Sequence, residues 1–375
     1  MVLDMGTLYA VAAIASAVAG VLHLIPWLTG RLAPWAAWWG LGHIAVGGSS
    51  LMVAIFDVKS VAMPVFIPNI LSVIGYAAVL QGVRVFERPQ ARAAPLLILV
   101  AIAAVPLFLS RDPQAFAGRI AYLCAVRACC DLAVAYVAVR MAQRQGLQNA
   151  WLMAFLFGAT VPLFVGRAWL AATGRIGSTL LGPADDLASW LAASAIAFIV
   201  FRGFSLLLLD AERSHRSLAD LACRDALTGA LNRMGLAQLR QRLDGQVAVM
   251  MIDVDRFKAL NDVEGHVVGD TALRLLAETG QMVLGQRGSL VRTGGDEFLG
   301  VMPRLSHEEA RALADAIELR FDQEIGRCTA LAPRPTLSIG LAEGAIADGF
   351  ERLIAQADQA MYAVKRMRQG NRRAA

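Results

Sequence analysis

The rhythm of apolar and polar positions changes near residue 210. Before it, apolar residues run in long blocks, and a membrane-spanning helix needs about 20 of them. The blocks predict seven candidate spans, at 7–29, 34–56, 61–83, 94–110, 118–140, 149–172 and 187–209, of which the fourth is short. Gly, Pro and Trp lie within or beside them, as membrane helices tolerate. After Leu209 the pattern turns amphipathic. Leu218 and Leu221 follow helical spacing with charges between them, which predicts a short linker helix over 210–224. Beyond it, Val247–Ile252 is a continuous apolar run of the kind a buried strand shows. The expectation is a membrane region over 1–209, a linker over 210–224 and a folded domain over 225–375.

Charge follows the same division. The chain of 375 residues is 57% hydrophobic and 17% charged, unlike an ordinary soluble domain. Residues 1–209 hold 13 Lys/Arg and 7 Asp/Glu, and the remainder holds 22 and 23. The basic excess therefore belongs to the apolar part, where it reads as topology, and no nucleic-acid surface is expected. With the N-terminus outside, inner loops carry Arg31, Arg84, Arg88, Arg92, Arg140 and Arg144, against Lys59, Arg111, Arg119 and Arg175 outside. That bias, with Asp57, Asp112, Asp185 and Asp186 on the outer side, puts the C-terminal domain in the cytoplasm. An even number of spans would require the opposite N-terminus. Asp4 in place of a basic run argues against a cleaved signal peptide. Cys124, Cys129, Cys130, Cys223 and Cys328 show no CxxC spacing, so neither a disulfide framework nor a zinc site is expected.

Ionisable groups inside spans are functional candidates. Arg127 and Asp131 are four apart and can pair on one helix face. His23, His43 and Arg167 also fall within spans. They read as a structural ion pair with packed, hydrogen-bonded histidines, as a sensor pocket for a small ligand, or as a haem or metal site held by His23 and His43.

The chemistry concentrates in Arg292-Thr-Gly-Gly-Asp-Glu-Phe298. Gly294 and Gly295 allow a tight hairpin and close backbone approach to a ligand. Asp296 and Glu297 at its tip offer hard oxygen ligands to a divalent cation. A plain solvated turn is the other reading of the stretch alone. Asp253 and Asp255 end the apolar run and would share a face if the strand continued. Asp225-Ala-Leu-Thr-Gly-Ala-Leu-Asn-Arg233 contains a turn at Thr228-Gly229 and a helix start near Asn232. Asn261 and Asp270, in Phe257-Lys-Ala-Leu-Asn-Asp262 and Gly265-His-Val-Val-Gly-Asp270, read as helix caps or as groups able to bind a guanine edge.

These stretches, in this order, resemble the signature motifs of the GGDEF family, the diguanylate cyclases. Thr336-Leu-Ser-Ile-Gly340 is similar to a later core strand of the family, and Ala357–Lys365 to its final helix. The resemblance covers about 150 residues. It implies an N-terminal all-α transmembrane bundle of about seven helices followed by an α+β domain, nucleotide-cyclase-like, with a central antiparallel sheet flanked by helices. The implied activity is metal-dependent conversion of two GTP to cyclic di-GMP, in a homodimer joined through these domains and the linker helix, on the bacterial inner membrane. A sensory ligand for the membrane region is implied but unidentified. By the same resemblance, Asp253, the carbonyl of Val254, Asp296 and Glu297 hold Mg²⁺ or Mn²⁺. Asp296 or Glu297 helps deprotonate the attacking hydroxyl. Lys258 and Lys365 meet phosphates, and Gly294 and Gly295 line the substrate. Asn261 and Asp270 bind guanine. A second basic phosphate contact falls to Arg366, Arg368 or Arg372. Ala230 and Glu264 depart mildly from the family pattern. The alternative function is a catalytically silent nucleotide receptor, although the metal acids and glycines are all present; no transport motif is seen. Where many members carry R-x-x-D, five residues before the glycine pair, this chain has Gly285-Gln-Arg-Gly288, so the usual product inhibition is not expected.

Overall fold

A computed structural model describes residues 5–55, 66–109, 116–175, 186–327 and 334–374. The expectations placed on Asp4, Asp57, Lys59, Arg111, Asp112, Asp185 and Cys328, and on the side chains of Asp186 and Arg372, lie outside what is described. The chain divides into two compact units, Met1–Ser214 and His215–Ala375.

The first unit is helical: α1 (Met5–Leu28), α2 (Trp35–Ile55), α3 (Phe66–Glu87), α4 (Ala94–Leu109), α5 (Phe116–Gln145), α6 (Asn149–Gly158), α7 (Thr160–Ala172) and the start of α8 (Asp186–Ala222). Among the described residues six helical stretches are long and apolar enough to cross a membrane, with α6 and α7 forming one of them. The fourth candidate, α4, has 16 residues and falls short of the length a span needs by itself. It packs within the helical unit all the same. Phe108 near its end meets Phe66 at the start of α3, with ring centroids 5.2 Å apart, and Tyr122 of α5 donates to the Ala103 carbonyl at 2.9 Å. At the other end Arg140 of α5 pairs with Glu87 of α3. Thus α3 and α5 run the same way, and α4, which lies between them in sequence, runs back.

The expected Arg127–Asp131 pair does not form. The Asp131 carboxylate, 1% exposed, accepts two bonds from Arg202 of α8, both 2.8 Å, and one from Thr160 at 2.5 Å. Arg127 instead donates to Ser72 Oγ at 2.8 Å and lies over the Tyr76 ring. Spacing of four allows a pair on one helix. Here a bidentate fork from a neighbouring helix wins, because it satisfies both carboxylate oxygens. His23 and His43 stack with ring centroids 6.2 Å apart, and each Nδ1 bonds the carbonyl one turn back, Ala19 and Trp39.

The linker is not a separate helix. Span and linker are one continuous helix, α8, of 37 residues. No residue between Leu209 and Ala222 is a Gly or Pro, so nothing in the backbone breaks the helix there.

The second unit adds α9 (Arg233–Arg240), β1 (Gln246–Val254), α10 (Phe257–Glu264), α11 (His266–Leu284), β2 (Ser289–Gly294), β3 (Glu297–Pro303), α12 (His307–Ile325), β4 (Leu337–Ala345) and α13 (Phe350–Ala374). The sheet order is β2-β3-β1-β4, antiparallel throughout. The apolar run of β1 is explained by burial on both faces. Ala248, Met250, Ile252 and Val254 enter the core against α10, α11 and α12. Val247, Val249 and Met251 enter a second core with Phe350, Ala357 and Met361 of α13. Alternation therefore sends Asp253 to the α13 side.

Candidate active site

The end of β1 organises the site. Asp253 lies directly opposite Glu297 of β3 and opposite Ser338 of β4, and facing residues of an antiparallel pair project to one side. On α13, Ala357, Met361 and Lys365 recur every four residues and form one face. That face sits hard on the sheet. A Cβ at Gly340 would come within 2.0 Å of the Met361 nitrogen and 2.2 Å of the Ala357 carbonyl. Close approach through Gly340 thus delivers Lys365, whose Nζ lies 2.7 Å from Asp253 Oδ1.

Burial pushes the Asp253 carboxyl up; Lys365 opposes this, while Asp296 and Asp255 add to it. Burial acts against the charge of Lys365, but Asp253, with Asp296 and Asp255, outweighs it and holds the ammonium above its ordinary range. Among the described residues no three His, Cys, Asp or Glu side chains converge as a closed metal centre; the Lys365 ammonium is the cation on Asp253. The donor set still fits a hard divalent cation. The Asp296 charge acts on Asp253 and Glu297 stands opposite it in register, and carboxylate oxygens suit Mg²⁺ rather than softer metals.

Asp255 has another job. Its carboxylate accepts from Thr336 Oγ1 at 2.6 Å and Ser338 Oγ at 2.7 Å, pinning the end of β1 to β4. Arg368 is likewise committed inward, to Glu318, the Leu337 carbonyl and Asp255. Of the two candidate phosphate contacts whose side chains are described, Arg368 is held within the fold, whereas Arg366 is exposed.

The turn from β1 into α10 passes through Arg256 at φ 62°, a left-handed conformation costing about 1 kcal/mol in a non-glycine residue. It leaves Lys258 exposed on the first turn of α10. Neither Asn261 nor Asp270 is a cap. Arg256 and Gly265 occupy the N-cap positions of α10 and α11, and both polar residues lie one turn inside. Asn261 Oδ1 is buried without a hydrogen-bond partner, and a Cβ at Gly269 would fall 1.9 Å from it. Gly269 therefore makes the seat for that amide. Asp270, half exposed, has Arg274 4.0 Å away.

The hairpin between β2 and β3 is braced by two arginines that carry no role in the motif reading. Arg292 donates to the Gly295 carbonyl from Nε (3.0 Å) and Nη2 (2.7 Å), and from Nη1 to Asp225 at 2.9 Å. Arg233 Nε donates to the Thr293 carbonyl at 2.7 Å. Both arginines stand in the quoted motifs; Arg292 reaches Gly295 within its own turn, but Asp225 and Thr293 lie 67 and 60 residues from their arginines. Partial burial raises the Asp225 carboxyl, yet bonds from Thr228 and Arg292 outweigh it and hold it below the usual carboxylate range. Asn232 caps α9, accepting from Met234 and Gly235 nitrogens, and donates to the Ala222 and Arg224 carbonyls. The opening motif therefore fastens the end of α8 to the hairpin, a docking role.

The family model for the diguanylate cyclase GGDEF domain matches residues 215–371. The chain is 33% identical over 213 residues to the diguanylate cyclase TpbB of Pseudomonas aeruginosa, covering 56% of this chain and 47% of that protein. It is 32% identical over 168 residues to the diguanylate cyclase DgcM of Escherichia coli K12, covering 42% and 40%. Among solved structures, the GGDEF domain of TpbB is similar at 34% identity and a TM-score of 0.34, covering 38% of this chain and 89% of that one. The chain thus spans less than half of either curated relative. Motif, site geometry and family match coincide on the same residues: residues 215–371 of the C-terminal unit match the GGDEF domain of diguanylate cyclases.

Proposed function

We propose that the chain is a membrane-bound diguanylate cyclase that converts two GTP to cyclic di-GMP and two pyrophosphates. The observation that carries this reading is the register of Asp253 opposite Glu297 with Lys365 laid across Asp253. Each domain of an antiparallel homodimer holds one GTP, and the 3′-hydroxyl of one attacks the α-phosphate of the other. Asn261 offers its unpaired carbonyl oxygen to guanine donors, and Asp270 accepts beside it. Lys258 and Lys365 meet the phosphates, while Gly294 and Gly295 let backbone approach them. Asp296 or Glu297 takes the hydroxyl proton. A divalent cation, Mg²⁺ or Mn²⁺, held by Asp253, the Val254 carbonyl, Asp296 and Glu297, would offset developing phosphate charge.

The bundle end that carries Arg84, Arg88 and Arg140 is assigned to the cytoplasm of a bacterial inner membrane, where GTP is available. Leu218 and Leu221 of α8, 62% and 68% exposed, supply an apolar stripe for pairing two chains, through which the membrane region sets how the domains meet.

The test is product analysis. Full-length protein is incubated with GTP and Mg²⁺ beside an Asp296→Ala/Glu297→Ala control, and cyclic di-GMP is sought by mass spectrometry. Product from the wild type alone supports the enzyme. GTP bound by both with product from neither favours the silent receptor.

A further inference from the structure

Two small cavities open inside the helical bundle, of about 60 and 50 Å³. Tyr9, Ser50, Arg127 and Arg167 line both, so they adjoin. They lie toward the bundle end away from Arg84, Glu87 and Arg140, since Tyr9 begins α1 and Arg167 approaches the end of α7.

The charge balance there is unusual. Arg127 donates to Ser72 Oγ and Arg167 to Tyr9 Oη, the latter at 3.4 Å. Among the described residues neither has a carboxylate partner, and the nearby Asp131 is taken up by Arg202 and Thr160. A guanidinium stays charged at any accessible pH. Among the described residues these two, with Arg119 lining the second cavity, meet hydroxyls and an aromatic ring inside an apolar bundle and make the site positively charged. The Arg202–Asp131 pair shows how the same bundle balances an arginine when it uses a carboxylate of its own.

We propose that this site binds a small aliphatic carboxylate, as a ligand of the membrane region. The planar carboxylate matches the guanidinium fork. Each cavity exceeds the roughly 10–15 Å³ that one water needs, giving room for the head group. Phe164, Ile199 and Leu123 wall the cavities with apolar surface for a short chain. Phosphate, a compact polyanion with no apolar part, fits these walls less well.

All seven tryptophans lie in residues 1–214, so intrinsic fluorescence reports this unit within the full chain. The experiment follows thermal unfolding by tryptophan fluorescence in zwitterionic nanodiscs, with butanoate, butanamide or inorganic phosphate added from water, and with palmitate supplied in the bilayer as a separate arm. A saturable rise in Tm with butanoate, absent with butanamide and phosphate, is expected; a rise with palmitate alone points to a membrane-derived long-chain acid and overturns the proposal of a small one. Arg167→Gln and the milder Tyr9→Phe are each expected to weaken that response at least tenfold while unfolding cooperatively without ligand. No carboxylate response, an equal response to butanamide or phosphate, or an unchanged response in both variants overturns the proposal.

Discussion

Lys365 Nζ stands 2.7 Å from Asp253 Oδ1, so the cation needed at the end of β1 is supplied by a side chain 112 residues away. A divalent ion arriving with GTP must share or take over that carboxylate. Asp253→Asn is expected to remove the stabilisation that Mg²⁺ and GTP give together, and to reduce cyclic di-GMP formation at least a thousandfold, while shifting unliganded stability by only about 1 kcal/mol. Calorimetric Mg²⁺ titration with a non-hydrolysable GTP analogue checks the binding. The pH dependence has a defined sign. The folded carboxyl titrates above its unfolded value, so its contribution to stability is present at low pH and is lost as pH rises through the folded pKa. Asp253→Asn flattens that decline.

Gly269→Ala places a methyl on Asn261 Oδ1. The amide must leave its seat, and KM for GTP is expected to rise about tenfold or more, with overpacking costing roughly 1–3 kcal/mol. Steady-state kinetics with GTP separate this from a general loss of folding, since surviving kcat then remains near wild type.

Gly340→Val tests how Lys365 is delivered. Here the added Cβ meets backbone of α13, which cannot rotate away as a side chain can. We expect destabilisation at or above the roughly 1–3 kcal/mol typical of overpacking, and a fall in kcat that exceeds the change in guanine binding, because Lys365 moves and Asn261 does not.

Asp225 offers an acid-side prediction. Its folded pKa is depressed, so the stability it contributes is present above the unfolded value of about 3.9 and is lost as pH falls through the folded pKa. Asp225→Asn is expected to cost about 1.5–3 kcal/mol at pH 7, the range for hydrogen bonds to charged groups, and much less at pH 3. Urea unfolding at the two pH values measures it.

Asp131→Asn and Arg127→Gln discriminate the observed pairing from the one that spacing suggests. Removing the Asp131 charge strands a 6%-exposed Arg202 and is expected to cost about 3–5 kcal/mol. Arg127→Gln, which among the described residues abandons no carboxylate, costs less. Unfolding in a mild detergent ranks the two. For the site before the hairpin, Gly285–Gly288 lacks the R-x-x-D pattern, and initial rates are expected to show no non-competitive inhibition by added cyclic di-GMP.

The sequence by itself determined where the apolar blocks lie, that a strand ends in Asp253, and that two glycines precede two acids. These are properties of composition and local period, and both are written along the chain. It also carried the order of the family motifs, which named Asn261, Asp270 and Lys365 before any geometry was known. Only the tertiary structure decided which partners meet. Asp131 chose Arg202, 71 residues distant, over Arg127 at helical spacing. Asp255 went to the hydroxyls of Thr336 and Ser338, and Arg368 turned inward to Glu318. α4, too short at 16 residues to read as a span, sets Phe108 against Phe66 of α3. In each case a carboxylate, a guanidinium or an apolar face was satisfied by whatever the packing of helices and strands brought against it, and sequence spacing reports neighbours only within a few residues.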